Sequence, residues 1–364
     1  MNKQQLITEI QSQGLRLIEP EIGASGRKGG AGPSDHKAIV IDNTTVMVPI
    51  FTSASSDSPY TARFDASTDQ TILELDGAAI APIYFPSQPS FYRLTTADGI
   101  PYWKIALLHS RDVLATTVLQ TCIRYGNTAT SCQFCAIGQS LEADRTSARK
   151  TPAHLAEVAE AAVRLDGVKH MVMTTGTPNT RDRGAAYLAE CASAIKAWVH
   201  LPIQAQCEPP DDFAWFERLR KAGVDSLGMH LEAVDPTVRS RIMPGKATVP
   251  VEYYFEAFAA AVKTFGWGQV STYLLAGLGD DLPALLEACD RLITIGVYPF
   301  VVPFVPITGT PLADHAPPRH EFMVTLYQQI AGMLDRAGMS SQSIKAGCAK
   351  CGACSALSIF ESQD

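Results

Sequence analysis

With 364 residues, the chain is long enough for one large α/β domain and a smaller one. Hydrophobic residues at 46% and charged residues at 18% are the proportions of a folded chain with a real core, and exclude a disordered one. A net charge of −7 argues against a nucleic-acid partner gripped through its phosphates.

The opening segment, MNKQQLITEIQSQGLRLIEP, sets Leu6, Ile7, Ile10, Leu15 and Leu17 at roughly helical spacing. It lacks the apolar core and small-residue cleavage site of a signal peptide. GASGRKGGAGPSDHK (23–37) follows, with Arg27, Lys28, His36 and Lys37 on a glycine-rich backbone. Cations so placed would cradle an anionic group, but the stretch matches no phosphate-loop pattern and reads equally as a surface loop. Three β-rich stretches come next, at 37–50, 71–85 and 91–108, each around a turn signal: Asp42-Asn43, Asp76-Gly77 and Asp98-Gly99. They predict antiparallel hairpins, so residues 1–112 read as an N-terminal region of helix and β-hairpins.

From 113 the pattern changes to strand-length apolar runs alternating with amphipathic stretches. LATTVLQTC, HMVMTTGT, LPIQAQCEP, SLGMHLEA, QVSTYLLAGLG and PFVVPFVPI read as strands, and a helical stretch follows each. Gly167, Gly223, Gly266 and Gly296 stand where helix C-caps belong. Six βα units in series predict a parallel sheet buried on both faces, with function at the C-terminal ends of its strands. Periodicity alone leaves a doubly wound sheet and a barrel, whole or partial, both open. The longest apolar run, VYPFVVPFVPI, is short and broken by three prolines, so no membrane span is expected. Nine cysteines without a secretion signal point to a reducing cytoplasm and to thiolates used as ligands.

Cys122 falls at the expected end of the first of these strands, and Cys132 and Cys135 lie in the loop after it. Three soft thiolates select zinc, copper(I) or an iron–sulfur cluster. A structural zinc site is normally closed by four ligands, and no fourth lies nearby in the sequence. A [4Fe–4S] cluster with one iron left free of cysteine fits better. The plain alternative is a core cysteine beside an incidental Cys pair.

These residues resemble the cluster motif of the radical SAM superfamily, Cys-x3-Cys-x2-Cys with an aromatic before the last Cys, the place held here by Phe134. The nine-residue first gap departs from the usual three. MTTGT (173–177) resembles, in degenerate form, the segment that holds the SAM amino group, with Thr174, Thr175, Gly176 and Thr177. MHLEAVDPTVRSRIMPG (229–245) is similar to the biotin and lipoyl synthase segment with a strand-end Glu followed by an Arg. That likeness makes Glu232 and Arg241 candidates for the SAM ribose and carboxylate. YLLAGLGDD (273–281), with Gly277 and Gly279, resembles the segment approaching the adenine, and VPFVPITGTPLAD (302–314) resembles the sixth-strand motif. Glu208, ending QCEPP, is a pocket carboxylate by position, or a helix N-cap. For the others the plain readings are strand threonines, a turn-capping Glu, a solvated helical Arg and a tight βα turn.

The resemblance implies a partial (β/α)6 TIM-type barrel over 113–340 that cleaves S-adenosylmethionine to a 5′-deoxyadenosyl radical and abstracts hydrogen from a small molecule. It implies flavodoxin or ferredoxin as reductant, while the charge and the short apolar runs already speak against a nucleic-acid or membrane partner. Residues 1–112 would serve as a lid. The residues 23–50 are also similar to a radical SAM family encoded beside nitrilase genes, without an established reaction; this suggests only a small metabolite, nitrogen compounds among the options. In the tail, 341–364, GCAKCGACSAL offers Cys348, Cys351 and Cys354. A second [4Fe–4S] cluster, a zinc or redox-thiol site, and idle cysteines on a mobile tail all remain open. Cys191, Cys207 and Cys289 read as core residues. The rival to the whole reading is a non-radical iron–sulfur or zinc protein, either a carrier or a Lewis-acid lyase.

Overall fold

The computed structural model describes residues 1–18 and 35–361. Most of the glycine-rich stretch 23–37 lies outside the described residues. The first helix, Lys3–Gln13, is capped by Asn2 Oδ1, which accepts the Gln5 N–H at 2.8 Å. It stops before Leu15, and Leu17 belongs instead to a short strand, β1 (Arg16–Leu17).

The N-terminal strands are β2 (His36–Ile41), β3 (Thr44–Pro49), β4 (Tyr60–Asp65), β5 (Gln70–Leu75) and β6 (Ala78–Ile83). β2 and β3 form one antiparallel hairpin and β5 and β6 another, and β1-β4-β5-β6 make a four-stranded sheet. Asp42, Asn43, Asp76 and Gly77 all take positive φ, as two-residue hairpin turns demand. The third expected hairpin is absent. Around Asp98-Gly99 only a Thr95–Pro101 bridge forms, and Tyr102–Ile105 turn into a helix. Pro101 has no N–H to give a ladder, and its fixed φ starts a helical turn. Thr96 Oγ1 closes the loop by accepting the Ile100 N–H at 2.9 Å.

The main sheet holds β7 (Leu107–His109), β8 (Val113–Thr117), β9 (His170–Thr174), β10 (Ile203–Gln206), β11 (Ser226–Gly228), β12 (Val270–Ala276) and β13 (Val297–Pro303), paired in chain order. β8 to β13 run parallel, and β7 is an antiparallel edge beside β8. A doubly wound sheet would reverse direction at its first strand. This order advances without reversal, and the sheet curls into a partial TIM-type barrel.

Six helices, 152–166, 185–198, 214–221, 251–265, 282–294 and 320–337, follow the parallel strands. Each connection returns to the next strand of the sheet, so the strands are covered from outside. β13 is buried along its whole length, which is why its sequence shows no alternation. Gly167 and Gly266 are helix C-caps at positive φ, and Gly223 and Gly296 lie one residue beyond theirs. No helix among the described residues is long and apolar enough to cross a membrane.

The tail is packed. The Ala353 carbonyl accepts the Met47 N–H at 2.7 Å and the Gln11 amide at 3.1 Å. Glu361 accepts from the hydroxyls of Tyr298, Ser340 and Ser341. The tail runs beneath the N-terminal ends of the barrel strands, opposite the face where the motif loops gather.

Candidate functional site

β8 ends at Thr117, so Cys122 sits five residues past the strand instead of at its end. The intervening segment stays tied to the sheet. Val118 N–H donates to the Thr174 carbonyl at 2.8 Å, Gly176 N–H to Leu119 at 2.9 Å, and Ile123 N–H to Thr177 at 2.9 Å. Gly176 is required by this approach: a Cβ there would stand 2.2 Å from the Thr121 carbonyl oxygen. The structure thus gives Gly176 a packing role directly beneath Cys122.

The nine residues between Cys122 and Cys132 fold on themselves. Thr130 and Ser131 hydroxyls both donate to the Arg124 carbonyl at 2.9 Å, and Gly245 N–H donates to Thr130 at 3.1 Å. Arg124 points inward, with Nη2 2.9 Å from Glu208 Oε2 and side chains only 10% and 8% exposed. Thr177 Oγ1 donates to the other Glu208 oxygen. Glu208 is therefore a buried anchor for the cysteine loop at the end of β10. It does not cap the helix Ala214–Lys221.

Cys132 and Phe134 enter a small apolar cluster separate from the main core. Its other members are Ala233, Val238, Ile242 and Met243 from the third motif segment, Leu275 on β12, Leu278 between Gly277 and Gly279, and Phe304 and Leu312 from the sixth. Gln133 backbone ties the same segments, donating to Ile242 at 2.8 Å and accepting from Leu312 at 3.3 Å. The cysteine loop and three later segments, from Cys132 to Leu312, thus meet at the CxxC pair.

Glu232 follows β11 at φ 68°, a strained conformation for a side-chain-bearing residue. It is held there because its N–H donates to Tyr273 and its carbonyl accepts from Leu275, both at 2.8 Å. Its Oε2 lies 2.8 Å from Lys246 Nζ, with side chains 14% and 10% exposed. Burial is the largest single influence and would lower the Lys246 pKa, but Glu232, Tyr254, Glu208 and Cys132 together outweigh it and raise the pKa, keeping the amine protonated. Arg241 lies on the helix Pro236–Ile242, with Nη2 3.2 Å from the Leu278 carbonyl. Gly277 and Gly279 have φ of 104° and 136°, and a Cβ on Gly279 would meet Arg241 Nη2 at 2.7 Å. Both glycines are thus needed for the turn, and Gly279 also leaves room for the guanidinium. Thr174 closes β9, and the Thr175 hydroxyl donates to the Gly176 carbonyl at 2.8 Å.

Deeper in the barrel, His230 and Tyr273 stack edge to face at 4.6 Å. Burial, reinforced by the Lys246 charge, pushes the His230 pKa down to about 3, so its imidazole is neutral. Sequence reasoning passed over Arg124, Lys246, His230 and Tyr273. Arg124 lies in the loop between Cys122 and Cys132, and Lys246 lies one residue past the 229–245 segment; a basic residue at such a place, available to a strand-end acid, was the signal.

The three thiols sense one another: Cys122 and Cys132 both interact electrostatically with Cys135. Burial raises the thiol pKa of Cys132 and Cys135, the latter to about 11. Among the described residues no three His, Cys, Asp or Glu side chains converge as ligands of one metal ion. Cluster thiolates bind separate irons and stand wider apart, so a soft three-sulfur set of this kind fits a [4Fe–4S] cluster.

Residues 124–292 match the Radical SAM superfamily. Bacteriochlorophyllide c C-7(1)-hydroxylase of Chlorobaculum limnaeum is 30% identical over 256 residues, which are 65% of this chain and 63% of the hydroxylase. The chain therefore spans less than two thirds of that relative. Among solved structures, a methylornithine synthase shares 17% identity over 64% of this chain and 65% of its own, with a TM-score of 0.47. A radical SAM methyltransferase from Sphaerobacter thermophilus shares 16% over 77% and 75%, with a TM-score of 0.46.

Proposed function

We propose that this chain, a member of the radical SAM superfamily, is an enzyme that cleaves S-adenosylmethionine reductively and turns the radical on a small molecule inside the barrel. Cys122, Cys132 and Cys135 would hold the [4Fe–4S] cluster. The observation that carries this reading is the apolar cluster joining Cys132 and Phe134 to the Glu232–Arg241, GLG and GTPL segments. When bound, the cluster and SAM supply a 5′-deoxyadenosyl radical competent for hydrogen abstraction.

The chain's own part is orientation and exclusion of water. Thr174, Thr175, Gly176 and Thr177 offer carbonyls and hydroxyls to the SAM amino group. Glu232, fixed by Lys246, presents a carboxylate to the ribose hydroxyls. Arg241 supplies a cation for the SAM carboxylate, and the open backbone at Gly277 and Gly279 admits the adenine. Glu208 and Arg124 neutralise each other, so they shape the pocket without adding net charge. Neutral His230 and the Tyr273 hydroxyl give the chamber a polar interior wall.

Flavodoxin or ferredoxin is the reductant in this reading and the compartment is the cytoplasm; residues 1–112 are an accessory region whose lid role falls to the part beyond the helix Lys3–Gln13 and the β2–β3 hairpin, which the tail's Ala353 carbonyl ties to the underside of the barrel. Cys348, Cys351 and Cys354 are read as ligands of a second cluster. The hydroxylase named above makes an oxidative reaction on the bound molecule one candidate outcome. The rival, a carrier or Lewis-acid protein without SAM cleavage, gains no support from the comparisons. The test is anaerobic reconstitution with iron and sulfide, then dithionite and SAM. Release of 5′-deoxyadenosine and methionine is expected; a cluster-loaded protein that releases neither would overturn the reading.

A further inference from the structure

We infer that the buried Lys150 amine is the fixed counter-charge of the cluster held at the barrel mouth by Cys122, Cys132 and Cys135, and that it is tied to their loop through Gln120. The inference rests on the reading of those cysteines as [4Fe–4S] ligands and adds which side chain sets the charge behind them.

The observation is a buried cation without an acid. Among the described residues five Lys or Arg side chains are buried: Arg124, Lys150, Arg183, Arg239 and Lys246. Arg124 pairs with Glu208, Arg183 with Asp211 and Lys246 with Glu232. Arg239 donates to the Leu231, Ala233, Lys246 and Val249 carbonyls. Lys150, at 1% exposure, has neither an acid nor such a set of carbonyls. Its Nζ donates to the Ser147 carbonyl at 2.7 Å and to Gln120 Oε1 at 3.4 Å. Burial pushes its pKa down to about 7, and no carboxylate among the described residues offsets that. A charge taken out of water is costly unless something compensates it.

The place of the amine points to what compensates it. Residues 148–150 run antiparallel to 118–120, the segment leading from β8 to Cys122. Gln120 N–H donates to Ala148 at 2.8 Å, and Lys150 N–H to Val118 at 3.0 Å. The Tyr187 hydroxyl holds the Lys150 carbonyl at 2.7 Å. Gln120, two residues before Cys122, turns its Oε1 to the amine. Its Nε2 is thereby left to donate to the Ile137 carbonyl and to Ser140 Oγ, both at 3.0 Å. Ile137 lies two residues after Cys135. Lys150 and Gln120 thus join the approach to Cys122 with the exit from Cys135.

A [4Fe–4S] core on three thiolates is anionic, and the electron that reduces it adds to that charge. Cluster potentials depend on nearby charge and on burial, and a cation in a low-dielectric surrounding acts beyond contact distance. The Arg124–Glu208 and Lys246–Glu232 pairs neutralise themselves, whereas Lys150 brings a positive charge that no protein acid cancels. The amine therefore favours the reduced cluster, and the cluster favours the charged amine.

The test is a redox titration read by electron paramagnetic resonance, on the full chain with Cys348, Cys351 and Cys354 changed to Ala so that only the mouth cluster reports. Lys150→Met and Lys150→Gln both remove the charge, and Lys150→Gln keeps a hydrogen-bonding side chain. Both should make reduction at least tenfold less favourable, a midpoint lower by about 59 mV. Lys150→Arg should stay within twofold of the parent protein. A parent-like potential in Lys150→Gln, or one potential in all variants, would overturn the charge role. Should both neutral variants lose iron, iron kept by Lys150→Arg supports the counter-charge, and iron lost from Lys150→Arg as well overturns it. Urea unfolding gives a second readout. In the iron-free chain Lys150→Met should raise the midpoint, because an unpaired buried amine is removed, and in the loaded chain the gain should shrink. Equal gains would refute the coupling. A parent protein that loads no iron would overturn the cluster reading, and this inference with it; loaded iron whose potential ignores the charge overturns this inference alone.

Discussion

Lys246 and Glu232 are a buried ion pair, and such pairs stabilise little in sum while being costly to break singly. Lys246→Met should destabilise the protein by about 3–5 kcal/mol in urea unfolding. Changing Glu232→Gln as well should recover part of that, because no uncompensated charge is then left buried. In cleavage assays both variants should lose SAM turnover, since Glu232 is absent or unfixed. Glu232 was legible in the sequence because a strand-end acid in that segment has a recognisable context. Its partner was not, since 14 residues and a helix separate the two, and only the fold closes that gap. Glu208 shows the converse: its position marks it as a pocket carboxylate or a helix N-cap, and the structure buries it at the strand end beside a cation that comes from the long cysteine loop.

At the level of elements, the strands and helices of the barrel were readable because each carries its own period and its own stop. The hairpin expected at Asp98-Gly99 failed because a turn signal was weighed without the proline two residues later. The lengthened cysteine loop was the least legible element. Beyond its internal bonds to the Arg124 carbonyl, it is held from outside, by Gly176, Glu208 and Gly245, which lie on three other segments. Gly176→Ala should therefore act on the loop: a Cβ 2.2 Å from the Thr121 carbonyl must displace backbone. A loss of about 1–3 kcal/mol is expected, with reduced iron at the mouth site and a melting temperature that falls accordingly. Full iron loading in a Gly176→Ala protein would show that the loop does not depend on this contact.

For the whole molecule, the tail docks the N-terminal helix and hairpin against the underside of the barrel, and a buried histidine stands at the seam. Burial pushes the His170 pKa down to about 4, so His170 is neutral when folded and its Nδ1 can accept the Gly347 N–H. The unfolded chain, with an ordinary histidine pKa near 6.5, takes up the proton first. Stability should thus be fully present above about pH 6.5 and be lost as pH falls toward 4, by about 2 kcal/mol at pH 5. His170→Gln cannot take that proton, so urea midpoints from pH 7.5 to 5 should fall less in the variant than in the wild type; parallel slopes would contradict this. The sequence could foresee thiols in the tail but not that they turn inward, because that depends on where the last helix leaves the barrel.

The account depends most on Cys122, which lies outside the matched residues 124–292 and nine residues from the CxxC pair. The direct measurement is electron paramagnetic resonance and iron counting on protein with Cys348, Cys351 and Cys354 changed to Ala. About four irons are expected, with a reduced-state signal that changes when SAM is added. Cys122→Ala in that background should abolish the signal and its response to SAM. An intact cluster that still responds to SAM without Cys122 would contradict the three-thiolate site.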